Sequence, residues 1–156
     1  MKVIYACDQF ESNPNSIMLC GGTPRSEFVK SWRPEALQIL DSMNFNGQVL
    51  VPESSTGRVS SDYLNQVEWE YKALESAGCI AFWVNRDMLN FFCLTTNVEF
   101  GRYVGSGKAI YGRPEGAPHT SYLDWLYQKL NNRGPHKALY ETLRGCINFL
   151  ELVSAF

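Results

Sequence analysis

Short apolar runs that alternate with helical patterns are the feature that most constrains how this chain folds. The runs lie at residues 3–6, 16–20, 48–52, 79–84 and 108–111. The last four read as continuous strands buried on both faces, and amphipathic spacing follows each of them. Strands alternating with helices predict parallel βαβ units, and therefore a doubly wound α/β fold with helices on both faces of one sheet.

The helical patterns can be placed between these runs. The first carries Phe28, Trp32 and Leu40 towards the core, with Pro34 at a kink or at the regular start. Asp62 is suited to cap a second helix that contains Tyr63, Val67, Tyr71 and Leu74. A third helix is expected near 96–104, and two more lie within the C-terminal segment 121–153. We expect one domain over residues 1–156, because 156 residues is an ordinary single-domain length.

Composition narrows the class of function. The net charge is −2 and no run of five Lys or Arg occurs, so we expect a small-molecule substrate and no duplex nucleic acid. The five cysteines are widely spaced and only two histidines accompany them, so we expect reduced thiols, no metal and no cofactor. The N-terminus shows no signal pattern and no apolar run approaches a membrane span, so we expect a cytoplasmic protein.

In a doubly wound sheet, ligands bind beyond the carboxyl ends of the strands. Those ends are expected at residues 21–25, 52–60, 85–94 and 112–119. Two segments there suggest chemistry. Gly21, Gly22 and Thr23 form a strand-to-helix turn whose N–H groups suit a phosphate or a sugar hydroxyl, and Arg25 adds a guanidinium. A plain turn remains an equal alternative.

Glu99 follows the fourth run. Thr96 and Glu99 match a capping box, which merely starts a helix. The same placement, a carboxylate in the first turn of a helix beyond a strand end, favours the ionised form that a nucleophile needs. Gly101 and Gly105 would allow this helix to approach the sheet closely.

Other charged residues leave two interpretations open. Glu68 and Glu70 are two apart, so only one of them faces any given side of a helix, and both could be surface charges. Arg86 and Asp87 follow the third buried strand, either as a loop pair or as a wall of a site.

Five motifs in order carry a family resemblance: LCGGTPR at 19–25, SWRPEAL at 31–37, QVEWE at 66–70, TNVEFGR at 96–102 and GRP at 112–114. Together, over about residues 16–127, they resemble the nucleoside 2-deoxyribosyltransferase-like family. The resemblance implies a flavodoxin- or Rossmann-like sheet and a retaining double displacement. In that reaction a glutamate attacks the anomeric carbon, and the sugar ester then passes to another base or to water.

The resemblance also implies roles for individual residues. Glu99 matches the nucleophile, Glu70 a site acid, and the turn 21–25 a segment that holds a 5′-phosphate in the nucleotide-hydrolysing branch. Met18 stands where the family usually has a tyrosine. Cys93 stands where the transferases have a base-contacting aspartate, whose contact Asp87 or Asn97 would take over.

Three functions follow from this resemblance. The first is nucleoside deoxyribosyl transfer, and the second is hydrolysis of a (deoxy)nucleoside 5′-monophosphate. The third is a nucleotide-binding sensor without turnover, which the replacements at Met18 and Cys93 favour. Relatives commonly assemble, so the resemblance also implies a homo-oligomer.

Overall fold

The computed structural model describes residues 1–55 and 62–155, and a five-stranded parallel sheet lies at its centre. The sheet order is β1-β3-β2-β4-β5, and every neighbouring pair is parallel. The strands are β1 (Lys2–Tyr5), β2 (Ser16–Gly21), β3 (Gln48–Val51), β4 (Cys79–Trp83) and β5 (Ala109–Gly112).

Helices cover both faces of the sheet. On one face lie α1 (Arg33–Ser42) and α5 (Leu139–Ser154). The other face is covered by α2 (Tyr63–Ser76), α3 (Leu94–Tyr103) and α4 (Ser121–Asn131). Each face has its own buried apolar cluster, because strands covered on both sides must be apolar on both sides. The fold is therefore doubly wound and flavodoxin- or Rossmann-like, as the alternating pattern predicts.

The strand order creates a crevice at the carboxyl edge. β2 lies between β3 and β4. After β2 the chain passes to α1 on one face, whereas after β4 it passes to α3 on the other. Two loops that leave neighbouring strands in opposite directions open a space between them, which is where doubly wound sheets bind ligands.

The first helix begins later than its apolar spacing suggests. α1 starts at Arg33 with Pro34 in its first turn, so the proline starts the helix instead of kinking it. The prediction that Phe28 packs in the core is wrong, because that side chain is 89% exposed. A proline inside a longer helix would remove a backbone hydrogen bond, and the chain upstream of Pro34 therefore takes a different course.

α2 is capped as expected but buries a different stripe. The Asp62 side chain accepts a hydrogen bond from the Asn65 N–H at 3.1 Å. The buried residues are Gln66, Trp69, Ala73 and Leu74, while Tyr63, Val67 and Tyr71 of the expected set are exposed. Trp69 anchors the helix, since its Nε1 donates to the Asp8 carbonyl at 2.8 Å and its ring packs edge-on against Phe10.

α3 overturns two expectations. The capping box is wrong: the helix begins at Leu94 after Cys93, which has a left-handed backbone (φ 56°) and provides no side-chain cap. The close approach expected from Gly101 is also wrong, because a Cβ at Gly101 would have no atom within 4 Å. Phe100 packs the helix onto the sheet instead, with ring centroids 5.3 Å from Phe82 and 4.9 Å from Tyr111.

Among the helices of the described ranges, none combines the length and the apolarity that crossing a membrane requires.

Candidate functional site

A cavity of about 360 Å³ lies in the crevice at the carboxyl edge of the sheet. Its walls come from the turn after β2, the end of β3, the inner side of α2 and the start of α3. A volume of this order suits a small ligand. Three of the four expected strand ends therefore contribute, but 112–119 does not line the cavity. The part of the expected edge at 56–60 lies outside the described residues.

The glycine turn after β2 forms one wall because nothing larger fits there. A Cβ on Gly21 would lie 2.2 Å from the Trp83 carbonyl oxygen. A Cβ on Gly22 would lie 2.8 Å from the Cβ of Phe91 and 2.9 Å from the Sγ of Cys93. These two glycines therefore let this segment pack directly against the end of β4 and the loop that follows it. Gly21, Gly22 and Thr23 all line the cavity.

Glu99 lines the cavity from the second turn of α3. Burial, and then the negative charge of Glu70, raise its pKa to about 7, although the positive charge of Arg33 lowers it. The expectation that a helix start would favour the ionised form is therefore wrong, since Glu99 lies beyond the first turn and desolvation dominates. Within the described parts of the chain, no residue donates a hydrogen bond to the Glu99 carboxylate.

Glu70 lines the same cavity from α2, while Glu68 is exposed on the outside, as a spacing of two residues requires. Burial raises the pKa of Glu70, and a hydrogen bond from Gln66 Nε2 to its Oε1 (2.8 Å) opposes that rise. Two carboxyls on facing helices, both with raised pKa values, are the arrangement that acid–base chemistry on one substrate needs.

Arg33 is the main site residue that sequence reasoning missed. Its side chain is 2% exposed and lines the cavity, and it forms an ion pair with the equally buried Glu53. In the sequence, Arg33 precedes a proline and belongs to one of the five motifs, but a charged residue at a helix start is usually exposed. Its burial depends on carbonyl groups that only the folded turn after β2 brings together.

Arg25 lines the cavity from the exposed side. Its guanidinium lies over the Phe92 ring, 5.1 Å from the centroid, and its backbone N–H donates to the Asn90 carbonyl. Within the described residues, Arg25 and Arg33 are the two cationic side chains of the cavity, and Arg33 is already paired. Arg25 is therefore the cavity cation for which the described residues supply no ion-pair partner.

Asp87 and Asn97 do not line the cavity. The Asp87 carboxylate accepts hydrogen bonds from the backbone N–H groups of Asn90, Leu89 and Phe91, which lower its pKa to about 2. Asn97 accepts a hydrogen bond from Arg86, whose guanidinium also binds the carbonyls of Phe92 and His119. Both predicted base contacts are thus engaged in holding the loop between β4 and α3.

Two cysteine side chains line the cavity, and one of them, Cys93, stands where the family's transferases have an aspartate. Cys93 lines it at the start of α3, and Cys20 lines it at the end of β2. Burial raises the pKa of both thiols, and Glu99 and Glu70 raise that of Cys20 further. Met18 is fully buried in the core cluster and does not reach the cavity.

In the described part of the chain, no group of three or more His, Cys, Asp or Glu side chains could hold a metal ion.

Comparison with known proteins agrees with this architecture. The family model described as nucleoside 2-deoxyribosyltransferase like matches residues 14–117, which is most of the chain and nearly the whole segment that carries the five motifs. A search of curated proteins finds no match. The family predicted from the sequence motifs is confirmed, and this chain belongs to the nucleoside 2-deoxyribosyltransferase-like family.

Proposed function

We propose that this protein cleaves the N-glycosidic bond of a (deoxy)nucleoside through a covalent glycosyl–Glu99 ester and transfers the sugar to a second base. Family membership supports deoxyribosyltransferase-like enzyme chemistry. The observation that carries the proposal is the facing pair Glu99 and Glu70 in one small-molecule cavity.

The two carboxyls have complementary tasks. Glu99 attacks the anomeric carbon with an ionised oxygen, and the electron pair of the broken bond goes to the base nitrogen. Glu70 delivers a proton to that nitrogen, so the base leaves neutral. The reverse sequence then transfers the sugar from the ester to the incoming base, with retention of configuration at the anomeric carbon.

The charge states of Glu99 and Glu70 support these two roles when substrate is bound. Burial raises the pKa of both carboxyls, that of Glu99 to about 7, so the pair retains a proton close to neutral pH. Positive charge that develops at the anomeric carbon stabilises the Glu99 carboxylate. Negative charge that develops on the base nitrogen favours a protonated Glu70, which donates its proton to that nitrogen. The reacting substrate thereby selects the arrangement in which Glu99 is ionised and Glu70 protonated.

A second candidate is hydrolysis of a nucleoside 5′-monophosphate, which Arg25 favours. This arginine lines the cavity next to the glycine turn, and its guanidinium is not engaged in an ion pair with a described acidic residue. A 5′-phosphate that contacts the turn would also reach Arg25. Water would then replace the second base as the sugar acceptor.

The deciding experiment incubates the protein with nucleosides and monophosphates, with and without a second free base. Chromatography then measures the released base and any new nucleoside. Exchange of bases supports the transferase, release from monophosphates without exchange supports the hydrolase, and binding without release from any substrate contradicts both. The variant Glu99→Gln is the control for enzymatic release.

We further propose that a second copy of this chain covers the exposed apolar side chains next to the cavity. Leu64 and Tyr63 on α2 are 73% and 70% exposed, and Val98 on α3 is 74% exposed. Light scattering of the purified protein tests this directly, and a monomer at all concentrations would contradict it.

A further inference from the structure

A buried ion pair stands behind the glycine turn of the cavity. The side chains of Arg33 and Glu53 are 2% and 4% exposed, and the Ser31 hydroxyl donates to the same Glu53 oxygen at 2.9 Å. Removing two charges from water costs free energy that their attraction only partly offsets, and apolar residues often serve stability equally well. Stability alone therefore does not explain why the Arg33–Glu53 pair is buried here.

The remaining N–H groups of Arg33 hold the end of β2 and the turn that follows it. Its Nε donates to the Leu19 carbonyl at 3.2 Å, and its Nη2 donates to the Gly21 carbonyl at 3.1 Å. Its Nη1 reaches the Gly22 carbonyl and the Thr23 hydroxyl, each at 3.4 Å. One side chain thus fixes the three residues that form a wall of the cavity.

The same guanidinium acts on both cavity carboxyls. Its positive charge lowers the pKa of Glu99 and of Glu70, against the larger effect of burial. Among the described residues, the charged and titratable side chains that line the cavity with Glu99 come from α2 (Glu70 and Tyr63), α1 (Arg33), β2 (Cys20) and the start of α3 (Cys93), with Arg25 at the opening. Glu53 offsets part of the Arg33 charge because the two are in direct contact.

We propose that Arg33 and Glu53 form a positioning pair, in which Arg33 fixes the glycine turn and places its positive charge near Glu99, while Glu53 offsets part of that charge. With Glu53 present, the Glu99–Glu70 pair keeps one proton close to neutral pH. Without it, the full Arg33 charge would act on both carboxyls and would weaken their hold on the proton that the leaving base needs. This inference rests on the proposed function of Glu99 and Glu70.

The test follows the Glu99 carboxyl directly by carbon NMR of protein labelled at the glutamate side-chain carboxyl carbon. The signal that disappears in Glu99→Gln identifies the residue. Glu53→Gln keeps hydrogen-bonding atoms but removes the charge, so the Glu99 titration midpoint should move to lower pH. Arg33→Met should move it to higher pH. Asp124→Asn, which breaks the Arg113–Asp124 pair away from the cavity, is the matched control and should leave it unchanged.

Arg33→Lys separates charge from positioning. Lysine keeps the charge but not the planar fork, so the midpoint should stay near that of the wild type while kcat/KM falls about tenfold or more. Midpoints that do not move in folded Glu53→Gln protein, or that move the same way in Glu53→Gln and Arg33→Met, would overturn the inference. If Arg33→Met does not fold, the Glu53→Gln result decides alone.

Different measurements test the Arg33–Glu53 pair and the proposed role of Glu99. The midpoint measurement needs no turnover, so it judges the Arg33–Glu53 pair by itself. Base release by Glu99→Gln at the wild-type rate would instead refute the proposed role of Glu99, whatever the midpoints are.

Discussion

Glu99 on α3 has a pKa of about 7 because it is buried and because it faces the negative charge of Glu70 on α2. The pKa of Glu70 is raised by its own burial and is moderated by Gln66 and Arg33. The carboxyl pair therefore retains a proton up to near neutral pH, where Glu99 ionises. The pair loses this proton as the pH rises through about 7, which gives the reaction a pH dependence that can be measured.

The first prediction concerns the shape of the pH profile. A nucleoside whose base leaves poorly needs the proton of the pair, so its kcat/KM should fall as the pH rises through about 7. An activated nucleoside whose base leaves without a proton needs only ionised Glu99, so its kcat/KM should rise through the same range. Steady-state rates from pH 5 to 9 on both substrates check this. Identical profiles would contradict the division of roles.

The second prediction concerns stability. A carboxyl whose folded pKa lies above its unfolded value of about 4.3 destabilises the folded protein as the pH rises from that value through about 7. Glu99→Gln removes that penalty, so the free energy of unfolding should increase by about 3–4 kcal/mol at pH 8 and change little at pH 4.5.

Urea unfolding at the two pH values measures this change. The matched control is Glu68→Gln on the exposed side of α2, which should have little effect at either pH. An equal change at both pH values for Glu99→Gln would show that its effect does not come from titration.

The third prediction separates an acid from a residue that only holds the substrate. Glu70→Gln keeps a carbonyl oxygen that the Gln66 amide can bond but has no acidic proton to transfer to the base. Turnover should fall about 10²- to 10⁴-fold with poor leaving groups and should be nearly preserved with an activated one. Uniform loss across a leaving-group series would assign Glu70 to positioning. No loss would remove it from the reaction.

The fourth prediction concerns the opening of the cavity. If a substrate phosphate contacts Arg25, Arg25→Ala should lower kcat/KM for a monophosphate about 10- to 100-fold and leave the matching nucleoside within about twofold. Arg25→Lys should recover part of the loss, because it restores charge without the fork. Parallel kinetics on the two substrates measure the ratio, and equal losses on both would rule out phosphate recognition by this arginine.

Sequence reasoning anticipated the sheet because strands buried on both faces must be apolar throughout. It also placed Glu99, Glu70 and the glycine turn at one edge, since parallel strands end together. It could not find the Arg33–Glu53 pair, because the carbonyls that satisfy Arg33 come from β2 and the following turn and meet it only after folding. It misplaced the start of α3 because Cys93 adopts a left-handed backbone, for which a cysteine gives no signal.

Asp87 and Asn97, the two residues expected to contact the base, do not line the cavity for a related reason. Asp87 follows a strand end in sequence, yet its carboxylate satisfies three backbone N–H groups of its own loop. Short polar side chains bond local backbone wherever a turn offers it, and sequence spacing alone does not distinguish such a turn from a binding wall.

The most direct test of the account is to trap the glycosyl–Glu99 ester. A 2′-deoxy-2′-fluoro nucleoside slows breakdown of such an ester, because the fluorine withdraws electrons from the anomeric carbon. Intact-mass spectrometry should then show one added fluorosugar per chain, with release of one free base. Peptide mapping should place the sugar on Glu99, and Glu99→Gln should gain no mass. Base release without any adduct, or an adduct on another residue that survives in Glu99→Gln, would contradict the central claim.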